Sequence, residues 1–192
     1  MKASLLFILA GLSSLTACQQ SSDVAPNENV AALHEKFHGT YKPIHSESNL
    51  ALDINLDGTA STDMLEEISD LPNMLLEVSI FGKNQHNPKP SFLFVHHWPQ
   101  QSFGRVEPTD FDPNIKPLYA RKVVVWRFAF DSDFTQLLLE PQPPTLTDPE
   151  LYTPPHSVLV KGNGLIEVTL SKRLYTTKGW KTVQIVSLYE RL

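Results

Sequence analysis

The sequence predicts a mainly β protein: an antiparallel barrel of about eight or nine strands, with a short N-terminal helix and one helical turn. Three observations predict it. From Gly39 onward, apolar and polar residues alternate in short runs, the period of a half-buried strand. Turn residues separate the runs, and Gly162, Asn163 and Gly164 give the plainest hairpin signal. Helical spacing is confined to two brief stretches, and no repeat of fixed period is visible. At 192 residues the chain makes one ordinary domain once a targeting segment is set aside.

Residues 1–17 form that segment. Lys2 precedes an apolar run from Ala3 to Leu12, and small residues follow up to Ala17, the layout of a secretory signal peptide. The run is too short to span a bilayer as a helix. Leu15, Thr16, Ala17 and Cys18 resemble the bacterial lipobox, which is cut before a cysteine that then carries the lipid. The chain's only cysteine stands where that motif needs it. Cys18 is therefore the expected lipidation site and the membrane the expected partner, held by acyl chains. The alternative is an ordinary signal peptide with an incidental cysteine. Gln19 stands in place of the Asp that marks inner-membrane retention in proteobacterial lipoproteins, so the outer membrane is the expected address. One cysteine forms no internal disulfide, so the exported domain relies on its core and on any bound ion.

Residues 18–29 are polar, lack periodicity and read as a tether to a barrel domain over 30–192. The formal charge of −5 becomes −6 once Lys2 leaves, and Lys and Arg are not clustered. Nucleic acid is not an expected partner.

Val30 to Phe37 has the spacing of a short amphipathic helix, with Gly39 as its stop. His34, Glu35 and His38 match the zinc-protease pattern HExxH, which would place both imidazoles on one face with Glu35 as base. The segment follows the tether directly, runs straight into Gly39, and has no evident third ligand downstream. A solvated helix face is the plainer reading.

Tyr41 to Ser46 reads as a first strand, and the stretch after it is the most informative in the chain. Asp53, Asn55 and Asp57 at alternate positions, then Gly58, are spaced to aim three oxygen-bearing side chains at one centre before a sharp turn. The Thr59 carbonyl and the Ser61 hydroxyl extend the set, and calcium, which takes about six to eight oxygens, is the expected ion. An EF-hand closes with a bidentate Glu at its twelfth position, where this chain has Met64. Asp63, Glu66 or Glu67 must then complete the shell. Asp63 also suits the N-cap of a helical turn over Met64 to Ser69, with Glu66 completing a capping box. An ion-free acidic turn is the competing reading, since Asp, Asn and Gly favour turns on their own account.

Further strands are expected over Met74–Phe81, Phe92–Trp98, Arg121–Asp131, Phe134–Glu140, Ser157–Lys161, Leu165–Tyr175 and Trp180–Arg191. The strongest carries Val124, Trp126, Phe128 and Phe130 on one face. Two long connections, Glu107–Pro117 with three prolines and Pro141–Pro155 with six, are binding loops or stiff coverings. Adjacent His96 and His97 point to opposite faces of a strand and cannot share an ion without a bulge. His96 shares its face with Phe94 and Trp98, so Phe94, His96, Trp98 and Trp126 form the expected interior pocket. A satisfied core histidine is the plainer alternative.

Gly39-Thr40-Tyr41 stands where lipocalins carry Gly-x-Trp. With the Asp53–Gly58 loop, the Ser61–Ile68 run and the terminal Val183–Tyr189 strand, it resembles the small lipocalin-like lipoproteins of Bacteroidota. The resemblance implies an up-and-down barrel with a central cavity. Three functions follow as expectations. The first is a non-enzymatic lipoprotein with structural calcium, binding a small molecule, glycan or protein through the barrel or its loops. The second is an accessory subunit of an envelope complex, marked by an exposed apolar patch. The third is a metal-dependent hydrolase using His34, Glu35 and His38.

Overall fold

The computed structural model describes residues 30–83, 85–86, 88–104, 106–141 and 153–192. The alternating runs become nine strands: β1 (Gly39–Leu52), β2 (Ser61–Asp63), β3 (Leu76–Phe81), β4 (Ser91–Ser102), β5 (Leu118–Phe130), β6 (Leu137–Leu139), β7 (Ser157–Val160), β8 (Ile166–Thr176) and β9 (Gly179–Arg191). Two helices accompany them, α1 (Val30–Phe37) and α2 (Met64–Glu67), with a 3-10 turn over Leu71–Asn73. All pairings are antiparallel. Setting β2 aside, the strands meander in chain order and β9 returns to pair with β1, from Tyr41 opposite Arg191 to Ser48 opposite Ile185. The remaining seam, β6 to β7, is joined by a bridge between Gln136 and Leu159 and by the Val160 N–H donating to the Thr135 carbonyl at 2.7 Å. The result is a nearly closed barrel.

β1 runs well beyond the Tyr41–Ser46 that alternation predicts. A bulge between Pro43 and His45 shifts the inward set from Tyr41 and Pro43 to Ser46 and Ser48. Its far half pairs with β2, where Leu52 lies opposite Ser61. β6 is shorter than expected because Asp131 folds the chain into a turn. Its carboxylate accepts the Thr135 and Gln136 N–H groups, and Phe134 takes a positive φ of 57°.

The core fills the barrel with Phe94, Trp126, Leu76, Val78, Ile80, Val168, Ile185 and Tyr189. Strand directions put the start of β1 and the end of β9 at one end, and α1 covers it. Leu33 and Phe37 are buried there, and the Phe37 ring lies 4.7 Å from that of Phe130. The Tyr41 hydroxyl donates to the Phe37 carbonyl at 2.7 Å, and Arg191 donates to the Glu35 and Lys36 carbonyls. A cation there also suits the negative end of the helix dipole. The opposite end gathers the acidic loop, the β4–β5 connection and the β8–β9 turn. Met64, Ile68, Leu71 and Met74 from the α2 segment join the same core.

Phe37→Ala should therefore destabilise the protein by about 3–5 kcal/mol, through lost burial and the cavity left at the covered end. Leu50→Ala, at an exposed position, should change stability by less than about 0.5 kcal/mol. Urea unfolding of the two variants checks this, and similar midpoints would refute the role given to α1.

Candidate functional site

The acidic loop is held by its own side chains. The Asp53 carboxylate accepts the Asp57 N–H at 3.1 Å and the Gly58 N–H at 3.0 Å, and its residue is buried. Asn55 accepts the Asp57 N–H at 3.0 Å and donates its amide to Asp57 at 3.1 Å, while Asp57 accepts the Thr59 N–H at 2.7 Å. Gly58 takes a φ of 93°, the freedom for which a glycine is needed. Leu56 takes a φ of 61°, which costs a branched side chain about 1–2 kcal/mol.

Asp63 caps α2, accepting the Leu65 N–H at 2.8 Å. Its own N–H donates to the Ser61 hydroxyl at 3.0 Å, so Ser61 takes the place that a capping box would give Glu66. Glu66 is exposed, whereas Glu67 turns inward and is 2% exposed. One Glu67 oxygen accepts the Ile54 N–H at 2.7 Å and the Asn55 N–H at 3.3 Å. Burial pushes its carboxyl above the ordinary 4.5, the two N–H groups oppose that, and the Asp53 and Asp57 charges add to it. Among the described residues, no three His, Cys, Asp or Glu side chains stand together as a metal-binding group. The expected ion shell also draws on Asn55, Thr59 and Ser61, which lie outside that class of side chain.

The loop is fastened to its surroundings. The Thr177 N–H from the β8–β9 turn donates to the Asp53 carbonyl at 3.2 Å. The connection Glu107–Pro117 lies down on the same hairpin. Trp180 donates its indole N–H to the Pro108 carbonyl at 2.7 Å, and the Asp112 N–H donates to the Tyr175 hydroxyl at 2.7 Å. Arg173 pairs with Glu107 at 2.7 Å and stacks over Trp180 at 4.1 Å. Between the acidic loop and the foot of β5 lies a cleft of about 160 Å³, lined by Ile54, Asn55, Leu56, Glu67, Ser69, Lys116, Pro117 and Tyr119. Local sequence carries no sign of Lys116 or Tyr119, because the fold of the long connection is what brings them there. The other connection, Pro141–Pro155, lies largely outside the described residues, as do Cys18, the signal segment 1–17 and the tether 18–29.

Phe94, His96, Trp98 and Trp126 all face the barrel interior, as their alternation implies. His96 bonds the Tyr189 hydroxyl at 2.9 Å across the barrel. Burial first, then Lys172 and His97, push its imidazole down to about 3. The space beside His96, Trp98 and Trp126 measures about 10 Å³, near the ~10–15 Å³ that admits one water. The Trp126 indole N–H is buried there without a hydrogen bond among the described residues. His97 faces outward, beside Arg121 and 3.8 Å from Glu77, so the two histidines do lie on opposite faces.

His34 and His38 stack with ring centroids 4.1 Å apart, and His38 Nδ1 accepts the Ile80 N–H at 3.1 Å. That nitrogen acts as a sheet acceptor, and nothing in this arrangement speaks for hydrolysis. No family model, curated protein or solved structure matches the chain.

The raised Glu67 has a consequence for stability. Its ionisation is harder in the folded state than in the unfolded, so the stability it confers is full below pH 4.5 and is lost as pH rises through the folded value. In chelator, the melting temperature of the native protein relative to Glu67→Gln should fall across that interval. A difference between the two proteins that does not change with pH would refute it.

Proposed function

We propose that the protein is a lipid-anchored lipoprotein of the bacterial outer membrane that binds a small molecule, glycan or protein through the loop-bearing end of its barrel. Calcium in the acidic loop is its structural ion. The observation that carries this reading is the asymmetry of the barrel. One end is covered by α1 and the interior beside Trp126 has about 10 Å³ of space, whereas the other end holds the fastened loops and a cleft of about 160 Å³; a further cleft of about 200 Å³ runs along the β6–β7 seam, away from those loops.

The donor chemistry suits a hard cation, since every side chain involved offers oxygen. Asp53, Asn55 and Asp57 would hold the ion with the Thr59 carbonyl and the Ser61 hydroxyl. Glu67 is favoured over Glu66 to close the shell, because it already bonds the Ile54 and Asn55 N–H groups. Asp63 uses one oxygen as a cap and keeps the other free. The ion when bound supplies positive charge where Asp53, Asp57 and Glu67 repel one another. The residues do the rest: their hydrogen bonds set the loop's path, and the Thr177 bond ties it to the barrel.

Calorimetric titration of the detergent-purified protein should show one calcium site, with a dissociation constant between about 1 μM and 1 mM. Calcium at a hundredfold excess over that constant should add about 2.7 kcal/mol of stability. Asp53→Asn with Asp57→Asn keeps the turn hydrogen bonds and removes the charge, so it should abolish the titration and leave melting in chelator nearly unchanged. Equal melting of the native protein with calcium and with chelator would sink the ion.

The anchor is tested separately. Cells fed radiolabelled palmitate should label the native protein, and Cys18→Ser should lose the label and leave the membrane fraction. Label retained on Cys18→Ser would overturn the anchor.

A further inference from the structure

Where β1 meets β3, Gly39 stands opposite Val78 and Thr40 opposite Glu77, so a longer β1 would bring Phe37 opposite Ile80. The chain turns into α1 there instead, and the Ile80 N–H lacks the backbone acceptor that a longer β1 would offer. His38 Nδ1 supplies one at 3.1 Å. Ile80 is fully buried, so an unpaired N–H there would be costly. The bond ties the C-terminal end of α1 to β3, beside the Tyr41 hydroxyl and the Arg191 guanidinium that hold α1 carbonyls.

A backbone N–H only donates, so Nδ1 carries a lone pair and the neutral ring keeps its proton on Nε2. A metal on Nε2 would need that proton moved to Nδ1, which would break the bond to Ile80. An acid proton would also land on Nδ1, and two donors would then face each other. The His34 ring stacks on His38 at 4.1 Å, Arg191 of β9 acts on it through its charge, and β3 presents the Phe81 ring at 6.1 Å, which does not titrate. Burial first, then His34 and Arg191, hold the His38 imidazole below the ordinary 6.5. The stability it confers is therefore full above pH 6.5 and is lost as pH falls through the folded value. Glu67, at the other end of the barrel, has the opposite sign.

We infer that His38 is an acid-sensitive latch: neutral, it fastens α1 across the end of the barrel by accepting the Ile80 N–H, and protonated, it lets that end loosen. Leu33 and Phe37 lie buried in the fastened helix, so release exposes the core at that end first. The latch stands apart from both the ion and the lipid anchor.

NMR signals of the His38 ring and the Ile80 amide are followed in the detergent-purified protein, in chelator, from about pH 8 to about pH 4.5. His38 should titrate below 6.5, and the Ile80 amide shift should follow the same curve. Hydrogen exchange at the position-38 amide, which bonds the His34 carbonyl at 2.9 Å, reports on α1. Corrected for the intrinsic effect of pH, its protection should fall about tenfold across the titration, the worth of one net hydrogen bond. His38→Asn places an oxygen where Nδ1 stands and does not titrate, so its protection should be high and constant. His38→Phe has no acceptor, and its protection should be low and constant. His34→Gln removes a neighbouring charge, so the His38 titration should move up toward 6.5.

A His38 ring that titrates at or above 6.5, an Ile80 amide that ignores the titration, or native protection independent of pH would each overturn the latch. So would a His38→Asn protein that responds to acid as the native one does, since the response would then come from another group.

Discussion

The pairing of β1 with β9 is the constraint on which the rest of the molecule depends. A meander left open exposes two unpaired edges, and here the first and last long strands satisfy each other over most of their length. The inner bond between the Ser46 and Ser187 hydroxyls joins residues 141 apart in sequence. Closing a loop of that span carries an entropic cost that the pairing and the core it encloses must offset. It also places Arg191 against the start of β1. Arg191 Nε lies 2.8 Å from where a Cβ on Gly39 would stand, so a side chain there would push the guanidinium off the α1 carbonyls it holds. Closure of the sheet and docking of α1 thus share Arg191 at one end of the barrel.

What closure leaves inside is well filled. His96 and Tyr189 satisfy each other across the interior, and with its pKa near 3 the imidazole is neutral at any pH at which a cell lives. A buried polar pair of this kind fixes which strands face one another without offering a proton switch. Large rings, among them Phe94 and Trp126, occupy the space that a ligand would need. The less filled space lies at the rim, where the cleft of about 160 Å³ opens beside the acidic loop.

Legibility in the sequence followed the strength of alternation. Val124, Trp126 and Phe128 announced β5 because apolar residues, two of them large rings, fall at every second position of a β-branched run. β1 was visible only to Ser46 because its inward residues beyond the bulge are Ser46 and Ser48, which pair by hydrogen bonds and give no apolar signal. β2 was invisible for the same reason, three polar residues held in a strand by β1 and by the Ser61 turn. The acidic loop was plain from residue type and spacing. Glu67 stood among its candidates, but its preference over Glu66 needed the burial of one and the exposure of the other. Tyr119 and Lys116 carried no local mark, since a long connection pinned by Trp180 and Tyr175 brings them to the loop.

The acidic loop's hydrogen bonds do not by themselves decide between a bare turn and an ion site. Asp53, Asn55 and Asp57 would accept the same N–H groups in either case, because those bonds follow from turn chemistry. Leu56 holds a left-handed conformation that a glycine would take without strain, which works against folding. Glu67 is raised first by burial, with the Asp53 and Asp57 charges adding to it, and the Ile54 and Asn55 N–H groups that it accepts oppose both. Its carboxylate therefore has a structural role with or without an ion: it ties the start of the acidic loop to α2.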